Sequence, residues 1–427
     1  MDKGSWVCRA SAVCVVAVFI VAGCSSGGSG SKASTATTAA SGAGASTTVA
    51  VSSPTSATLT SAPIVLGSVE TLTSSLGSFD AISDKAINAW ASWVNSHGGV
   101  NGHPVKIVIK DDGGDQARSV AAAHELVEQD HVAAFINVGS GALISGWSDY
   151  MQQKSVPVIG GSVFSPLWST SPVFFPAGGT FIEGATITLA IAKNFGFKHY
   201  GAVFCAEAAQ CKLAIAFLKA RAGAVGIDFA YGGTVSSSAA DYTATCLAAK
   251  DAGVDVMELG VATYDTGLNI AKSCDRQGYH PAWIIPGEAI SNKYLGSPLF
   301  NNAFGSPADL PWFADVPANA DFKAAMAEAK LDLTTSDLPL TATDAWAAGL
   351  LFQKAVQLSG VTGVPTSADI LAGLTKVSNE TLGGFVPPLT FTTPTSKPVP
   401  CFFVLRIQNQ KFTLPQGAQV ACNPPSS

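Results

Sequence analysis

The chain has 427 residues, of which 13% are charged and 47% hydrophobic, with a formal net charge of −6. This length exceeds one ordinary hydrophobic core and suits two domains. The composition excludes a disordered chain. Because the sequence has no block of Lys and Arg, nucleic acid is not an expected partner.

The N-terminal segment has the pattern of an export signal. Lys3 and Arg9 precede an apolar run that is too short to span a membrane and fits a signal-peptide core, so residues 1–23 are predicted to be a signal peptide. The run ends in Val21-Ala22-Gly23-Cys24, which resembles the lipobox of bacterial lipoproteins and implies cleavage before a lipidated Cys24. Residues 24–62 are rich in Ser, Gly, Ala and Thr and are expected to form a flexible tether. The alternative is an ordinary secretory signal with a chance Cys.

Six cysteines remain beyond Cys24, and an even number in an exported chain predicts disulfides. The absence of a C-x-x-C pair argues against a zinc or thioredoxin-like site. The favoured pairs close a short loop, link two helices that flank one strand, and tie the tail to its hairpin. These pairs are Cys205–Cys211, Cys246–Cys274 and Cys401–Cys422. The sequence leaves the other connectivities open.

From residue 63 onward, short apolar strands alternate with helical patterns. The first series has predicted strands over 64–69, 105–110, 133–138 and 156–159, and helices over 80–97, 115–130 and 141–154. The second series has strands over 200–204, 227–231, 254–259 and 282–285, and helices over 180–195, 206–221, 239–252 and 265–277. The tail has helical patterns over 319–330 and 342–358 and a hairpin of 401–407 with 411–414. Such alternation predicts doubly wound parallel sheets, and two series predict two lobes.

One block of the first series resembles a known family. Residues 89–95 are followed by Gly98-Gly99-Val100-Asn101-Gly102, a strand and Asp111-Asp112. The block is similar to the first-lobe signature of solute-binding proteins of the branched-chain amino-acid type, the extracytoplasmic receptors of ABC importers. The resemblance covers roughly residues 63–415. It implies an α/β protein with the type I periplasmic-binding fold, in which two Rossmann-like lobes are joined by three crossovers around a ligand cleft.

The resemblance also predicts the domain boundaries. The crossovers are expected near residues 176–179, 304–312 and 385–391, where Gly and Pro are frequent. The first lobe would comprise residues 63–177 and 313–385. The second lobe would comprise residues 178–312 and the C-terminal part, 386–427.

Ligands of open α/β sheets bind beyond the carboxyl ends of the strands. The resemblance implies an aromatic pocket wall at Phe79, or else a core residue at the helix entry. In the loop after the third strand it implies that Ser140 binds a ligand carboxylate. Gly141 and Ala142 are small enough for close approach, and helix N–H groups there favour an anion. The alternative for this loop is a simple tight turn.

The loop after the fourth strand contributes Ser162, Val163 and Phe164, with Phe164 standing where the family has a small hydroxyl residue. A shift of one residue would restore a serine. In the second lobe, Ala262, Thr263 and Tyr264 are predicted to contact the ligand. Glu288 would accept the ligand ammonium, although it stands one residue out of register and a surface acid is the alternative.

The expected ligand is a small, partly apolar molecule with a carboxylate or amide group. A branched-chain amino acid meets this demand, and amides, ureas and aromatic acids are alternatives. None of the six His has the spacing of a metal site or catalytic triad, so no enzyme, metal or cofactor is expected. The alternative functions are an envelope lipoprotein with a sensory or scaffolding role and, least favoured, a secreted enzyme. The expected partners are a small solute and an ABC permease. The chain is predicted to be a monomer, lipid-anchored to the outer face of the cell membrane.

Overall fold

The structure is a computed structural model that describes residues 59, 61–73, 80–139, 141–163, 165–207, 209–261, 263–392, 395–396 and 399–422. The chain divides into two units, Met1–Pro54 and Thr55–Ser427. The described residues all belong to the second unit. The predicted signal peptide, Cys24 and nearly all of the tether lie outside them.

The first sheet has five parallel strands in the order β2-β1-β3-β4-β5. Its strands are β1 Ile64–Glu70, β2 Val105–Asp111, β3 Ala134–Val138, β4 Val158–Gly161 and β5 Phe174–Phe175. The central strands β1 and β3 are apolar and buried almost throughout, because helices cover both faces of the sheet. The doubly wound first lobe is therefore confirmed.

The helices that follow these strands are α1 Asp80–Ser96, α2 Gln116–Glu128, α3 Ser148–Lys154 and α4 Leu167–Thr170. The helix expected over 141–154 is wrong in its first half, where Gly141–Gly146 forms a 3₁₀ helix. Gly141 has a left-handed backbone (φ +45°), which an α-helix does not allow, and a methyl group at Gly146 would overlap the Gln116 amide. The α-helix therefore does not begin at Gly141, and it starts at Ser148 after the 3₁₀ turn.

The remaining strands are β6 His199–Cys205, β7 Asp228–Val235, β8 Val256–Gly260, β9 Ala282–Pro286, β10 Phe304–Ser306, β11 Phe391–Thr392, β12 Thr395–Ser396, β13 Cys401–Phe403, β14 Leu405–Gln408, β15 Lys411–Thr413 and β16 Val420–Cys422. Seven of them form the second sheet, in the order β15-β14-β10-β9-β8-β6-β7. Strands β6 to β10 run parallel to one another. Strands β14 and β15 form a hairpin that pairs with β10 in the antiparallel direction. Asn409 and Gln410, the two residues between β14 and β15, both have positive φ, as a two-residue hairpin turn requires.

The remaining helices are α5 Phe181–Asn194, α6 Ala209–Val225, α7 Thr243–Asp251, α8 Tyr264–Arg276, α9 Ala320–Glu328, α10 Leu340–Ser359 and α11 Ser367–Leu374. Helix α10 returns to the first sheet, where Gly349 packs against Trp90 and the Trp90 Nε1 donates to Gln353 Oε1 at 3.2 Å. The chain thus leaves the first sheet after β5, returns after β10 and leaves again for β14. These three passages join the two Rossmann-like lobes and lie side by side. Leu310 N donates to Phe385 O at 2.8 Å, and Gly178 packs against the carboxyl group of Asp309.

The three expected disulfides are present. Cys205–Cys211 closes a short loop after β6, with its Cα atoms 5.5 Å apart. Cys246–Cys274 joins α7 to α8 on either side of β8, and Cys401–Cys422 joins opposite residues of β13 and β16. Within the described ranges, no helix has both the length and the apolar character that crossing a membrane requires.

Candidate functional site

The loop after β1 is fastened to its neighbours by side chains at the carboxyl edge of the first sheet. Thr71 N donates to Asp80 Oδ2 at 2.6 Å, and Thr71 Oγ1 donates to Asp112 Oδ1 at 2.8 Å. Thr73 Oγ1 donates to Asp111 Oδ2 at 2.6 Å. These bonds fix the start of the loop to the first turn of α1 and to the end of β2. Phe79 lies outside the described residues, so its predicted role stays a prediction.

The loops after β3 and β4 lie together. Ser162 N donates to Val138 O at 2.9 Å, and the Ser162 Oγ lies 4.0 Å from the position that a Cβ of Gly141 would take. Val163 is half-buried beside them. Ser140, Phe164 and the side chain of Ala142 are outside the described part, and their predicted contacts stay predictions. The structure therefore brings together Gly141 and Ser162, the described members of the first-lobe set that face each other.

Two acids missed by the sequence analysis pack at the same edge. Glu70, the last residue of β1, is fully buried, and its Oε1 accepts from Ser68 Oγ at 2.5 Å and Asn137 Nδ2 at 3.3 Å. Its Oε2 has no hydrogen-bond partner among the described residues. A methyl group built at Gly139 would overlap both this Oε2 and the carboxyl group of Asp80. The two carboxyl groups are therefore neighbours packed against the first residue of the loop after β3.

Burial and like charge shift the pKa values of both acids upward. Burial raises the pKa of Glu70 well above its ordinary value, and the nearby Asp80 raises it further. Burial raises the pKa of Asp80 to about 6, although the hydrogen bond from Thr71 N opposes this shift. The sequence signal for this pair was an acid closing an apolar strand and a second acid opening the next helix.

In the second lobe, Thr263 and Tyr264 begin helix α8. Thr263 is the N-cap residue, and its Oγ1 accepts from Thr266 N at 3.3 Å. Tyr264 is half-buried and meets Tyr294 edge-on, with ring centroids 4.9 Å apart. The ring of Phe300 lies beside it at 6.5 Å. One side of Tyr264 is thus held in an aromatic cluster. Ala262 is outside the described residues.

Glu288 lies in the 3₁₀ turn Gly287–Ala289 that follows β9, and this turn lies against α10 of the first lobe. Its side chain is not among those described. Just beyond, Asn292 Nδ2 donates to Leu333 O at 2.7 Å and to Ser336 O at 2.8 Å. Lys293 and Asp337 form an ion pair at 2.8 Å. These contacts tie the carboxyl edge of the second sheet to the segment between α9 and α10 of the first lobe.

A further acid organises the second-lobe loops. Glu207 Oε1 accepts from Ser237 N at 2.7 Å, from Ser236 Oγ at 2.9 Å and from Ser237 Oγ at 3.0 Å. These bonds, that from Ser237 N foremost, lower the pKa of Glu207 to about 2. They join the loop after β6, which the Cys205–Cys211 disulfide closes, to the loop after β7.

A surface groove of about 550 Å³ lies elsewhere on the first lobe. It is lined by the turn at Gly99–Asn101 and by Gln353, Lys354 and Gln357 of α10. The turn precedes β2, so the groove lies at the amino edge of the sheet and contains none of the predicted site residues. Within the described part of the chain, no group of three or more His, Cys, Asp or Glu is placed to hold a metal ion.

Two parallel-sheet lobes joined by three passages, with carboxyl-edge loops that approach each other, define the type I periplasmic-binding class of proteins. The profile of the family described as "Periplasmic binding protein" matches residues 63–411, and the chain belongs to this family. Its members are exported solute-binding proteins rather than enzymes.

A curated relative and several solved structures are similar to the chain. The Leu/Ile/Val-binding protein homolog 3 of Brucella melitensis is 23% identical over 248 residues, which are 57% of this chain and 66% of the relative, just under two thirds of its length. A branched-chain amino acid ABC transporter structure from Thermus thermophilus with bound valine is 15% identical, with a TM-score of 0.71 over 84% of this chain and 96% of that one.

A substrate-binding protein of an ABC transporter from Aeropyrum pernix is 15% identical, with a TM-score of 0.72 over 86% of this chain and 97% of that one. A fatty acid ABC transporter substrate-binding protein from Thermomonospora curvata is 17% identical, with a TM-score of 0.68 over 84% of this chain and 91% of that one. At these identities the likeness establishes the fold alone.

Proposed function

We propose that this chain is the extracytoplasmic solute-binding receptor of an ABC importer and captures a small amino-acid-like solute, or one with a carboxylate or amide group, by closure of two lobes. The observation that carries the proposal is the meeting of the two carboxyl edges, where Asn292 of the second lobe bonds the first-lobe segment at Leu333 and Ser336. In open α/β sheets this edge is where ligands bind.

The proposed domain division follows the passages of the chain. The first lobe comprises residues 63–177 and 313–385, and the second comprises residues 178–312 and 386–427. A solute held between the lobes would make its full set of contacts only in the closed form and so shift the population toward it. The closed form would then be the one that the permease binds.

The proposed solute contacts come from five loops. They are Phe79, Ser140, Gly141, Ala142, Ser162, Val163, Phe164, Ala262, Thr263, Tyr264 and Glu288. The names of relatives support two ligand classes, since one is a Leu/Ile/Val-binding homolog and another a fatty acid transporter component. Both classes combine an apolar chain with a polar head, which agrees with the apolar pocket walls that we predict at Phe79, Phe164 and Tyr264.

The proposed location is the outer face of the cell membrane, with a lipid on Cys24 and the Ser- and Gly-rich tether as spacer. The support is the lipobox-like run Val21–Cys24 and the composition of residues 24–62. A monomeric receptor on such a tether would stay within reach of its permease.

A thermal-shift panel tests the proposed function. Leucine, isoleucine, valine, amides, aromatic acids and small ureas should be tested, because a solute that binds only the folded state raises the Tm by mass action. We expect at least one of them to raise the Tm and Ser162→Ala to reduce that shift. The control Ser92→Ala removes a hydroxyl group that bonds within α1 and should leave the shift unchanged. A Tm that no member of the panel raises would favour a scaffolding lipoprotein.

A further inference from the structure

Two neighbouring residues of the second lobe reach across to the first lobe. They belong to the 3₁₀ helix Asn292–Gly296, which follows β9 and packs against α8. Lys293 Nζ donates to Asp337 Oδ2 at 2.8 Å, beside the two hydrogen bonds of the Asn292 amide. Asp337 lies between α9, which packs on α1, and α10, which packs on β3 and β4, so it belongs to the first lobe. The ion pair therefore joins the two lobes directly.

This ion pair lies at the edge of the predicted solute site. Lys293 interacts electrostatically with Asp265, in the first turn of α8, and with Tyr264, whose ring is predicted to contact the solute. The hydrogen bond to Asp337, foremost among several causes, raises the pKa of Lys293, so its ammonium group is charged throughout the neutral pH range. A permanent cation of one lobe thus faces an anion of the other beside the cleft.

The ion pair and the amide hydrogen bonds respond differently to salt. The side chains of Lys293 and Asp337 are 49% and 53% exposed. At such exposure an ion pair contributes modestly, and dissolved ions screen it. The hydrogen bonds of the Asn292 amide involve no charged group and are partly buried, so salt affects them less. The ion pair is therefore the part of this contact that ionic strength can adjust.

We propose that the Lys293–Asp337 ion pair is a salt-sensitive switch that favours closure of the two lobes, whether or not a solute lies between them. A larger closed population raises the apparent affinity for a solute that binds the closed form. Lys293 and Asp337 would thus be positioning residues, which set the affinity without contacting the solute. The inference rests on the lobe closure of the proposed function and adds a control by charge to it.

The test measures the radius of gyration of the solute-free full chain by small-angle X-ray scattering. Lys293→Asp places two carboxylates opposite each other and should increase the radius at about 20 mM NaCl, where charges act over about 20 Å. Adding Asp337→Lys to the same chain restores opposite charges and should return the radius to the wild-type value. We expect the ratio of closed to open form to change by up to about fivefold in the single variant.

The matched control is an ion pair of similar exposure within one lobe. Arg276 Nη2 lies 3.1 Å from Asp241 Oδ2, with side chains 56% and 52% exposed, and both residues belong to the second lobe. Arg276→Asp also places two carboxylates opposite each other, but it should leave the radius of gyration unchanged.

A second readout needs no variant. The radius of the wild type should increase between about 20 mM and about 500 mM NaCl, because the screening length falls to about 4 Å. Identical wild-type curves at the two salt concentrations, a Lys293→Asp radius equal to the wild-type radius, or a double variant as expanded as the single one would overturn the inference. Since no solute is added, each of these results leaves the receptor function standing, and a failed thermal-shift panel leaves the scattering result readable.

Discussion

The buried Glu258 shows at the scale of one residue how an acid is accommodated in the core of the second lobe. It lies in the middle of β8 with 2% of its surface exposed. The hydroxyl of Tyr200 and Thr188 Oγ1 both donate to its Oε2, the latter at 3.0 Å. Burial raises the pKa of Glu258 to about 7, although both hydrogen bonds lower it. The Glu258 carboxyl group is therefore neutral in the folded protein below about pH 7. At higher pH it carries a charge inside the core.

Glu258→Gln should therefore stabilise the protein at high pH. In the unfolded chain the carboxyl ionises near its ordinary pKa, so the unfolding free energy of the wild type falls as the pH rises from about 4.5 through about 7. The amide does not titrate and keeps acceptor oxygen for Tyr200 and Thr188. We expect a gain of up to about 3 kcal/mol at pH 8 that disappears at pH 4.5. Urea unfolding at the two pH values measures it, and equal stability at pH 8 would contradict it.

At the candidate site, the sequence carries the structural role of a residue where local chemistry decides it, while the predicted ligand contacts stay predictions. Thr263 caps a helix because its hydroxyl reaches a backbone N–H three residues ahead, and this can be read from the sequence. The partnership of Glu70, Asp80 and Gly139 was not predictable, because it depends on which strands become neighbours. Glu207 was missed for the same reason, since its partners Ser236 and Ser237 lie beyond the next strand.

At the scale of elements, the segment after β9 that contains Asn292 holds the two lobes together by hydrogen bonds. Asn292→Ala removes both hydrogen bonds to Leu333 O and Ser336 O, which contribute about 1 kcal/mol each. We expect the solute-free population to shift toward a more open arrangement and the radius of gyration in small-angle X-ray scattering to increase. Asn88→Ala, which removes bonds within α1, should leave the scattering unchanged. Identical scattering curves for Asn292→Ala and the wild type would show that these hydrogen bonds do not hold the lobes together.

Long elements were predictable from periodicity, and short ones were not. The helical pattern over 80–97 predicted α1, whose buried residues include Ala86 and Trp90. The two-residue β5 and the three-residue β10 were missed. Such short segments show no hydrophobic periodicity in the sequence, and only their pairing with β4 and β9 makes them strands. Helix α11 was also missed, although Thr366 and Asp369 form a capping box at its start.

For the whole molecule, the predicted lipid anchor sets where the receptor operates. Cys24→Ala should release the protein into the medium or leave an uncleaved precursor, because the acceptor thiol for the lipid is gone. Membrane fractionation and mass spectrometry of the N-terminus measure this. Cys14→Ala, inside the predicted signal peptide, should be processed and anchored as the parent is. A Cys24→Ala protein that is cleaved and membrane-bound like the parent would show that the anchor lies elsewhere.

The return of α10 and α11 to the first sheet sets the order in which the chain can fold. Trp90 bonds Gln353 across 263 positions, and Ser367 Oγ donates to Ala133 O across 234. Such distant contacts carry a large loop-closure cost and form slowly. The parts of β3 and β4 that α10 contacts therefore stay uncovered until about four-fifths of the chain has been synthesised. A chain that crosses a membrane unfolded gains time from this delay, because the first lobe cannot complete the core under α10 before the C-terminal part has been made.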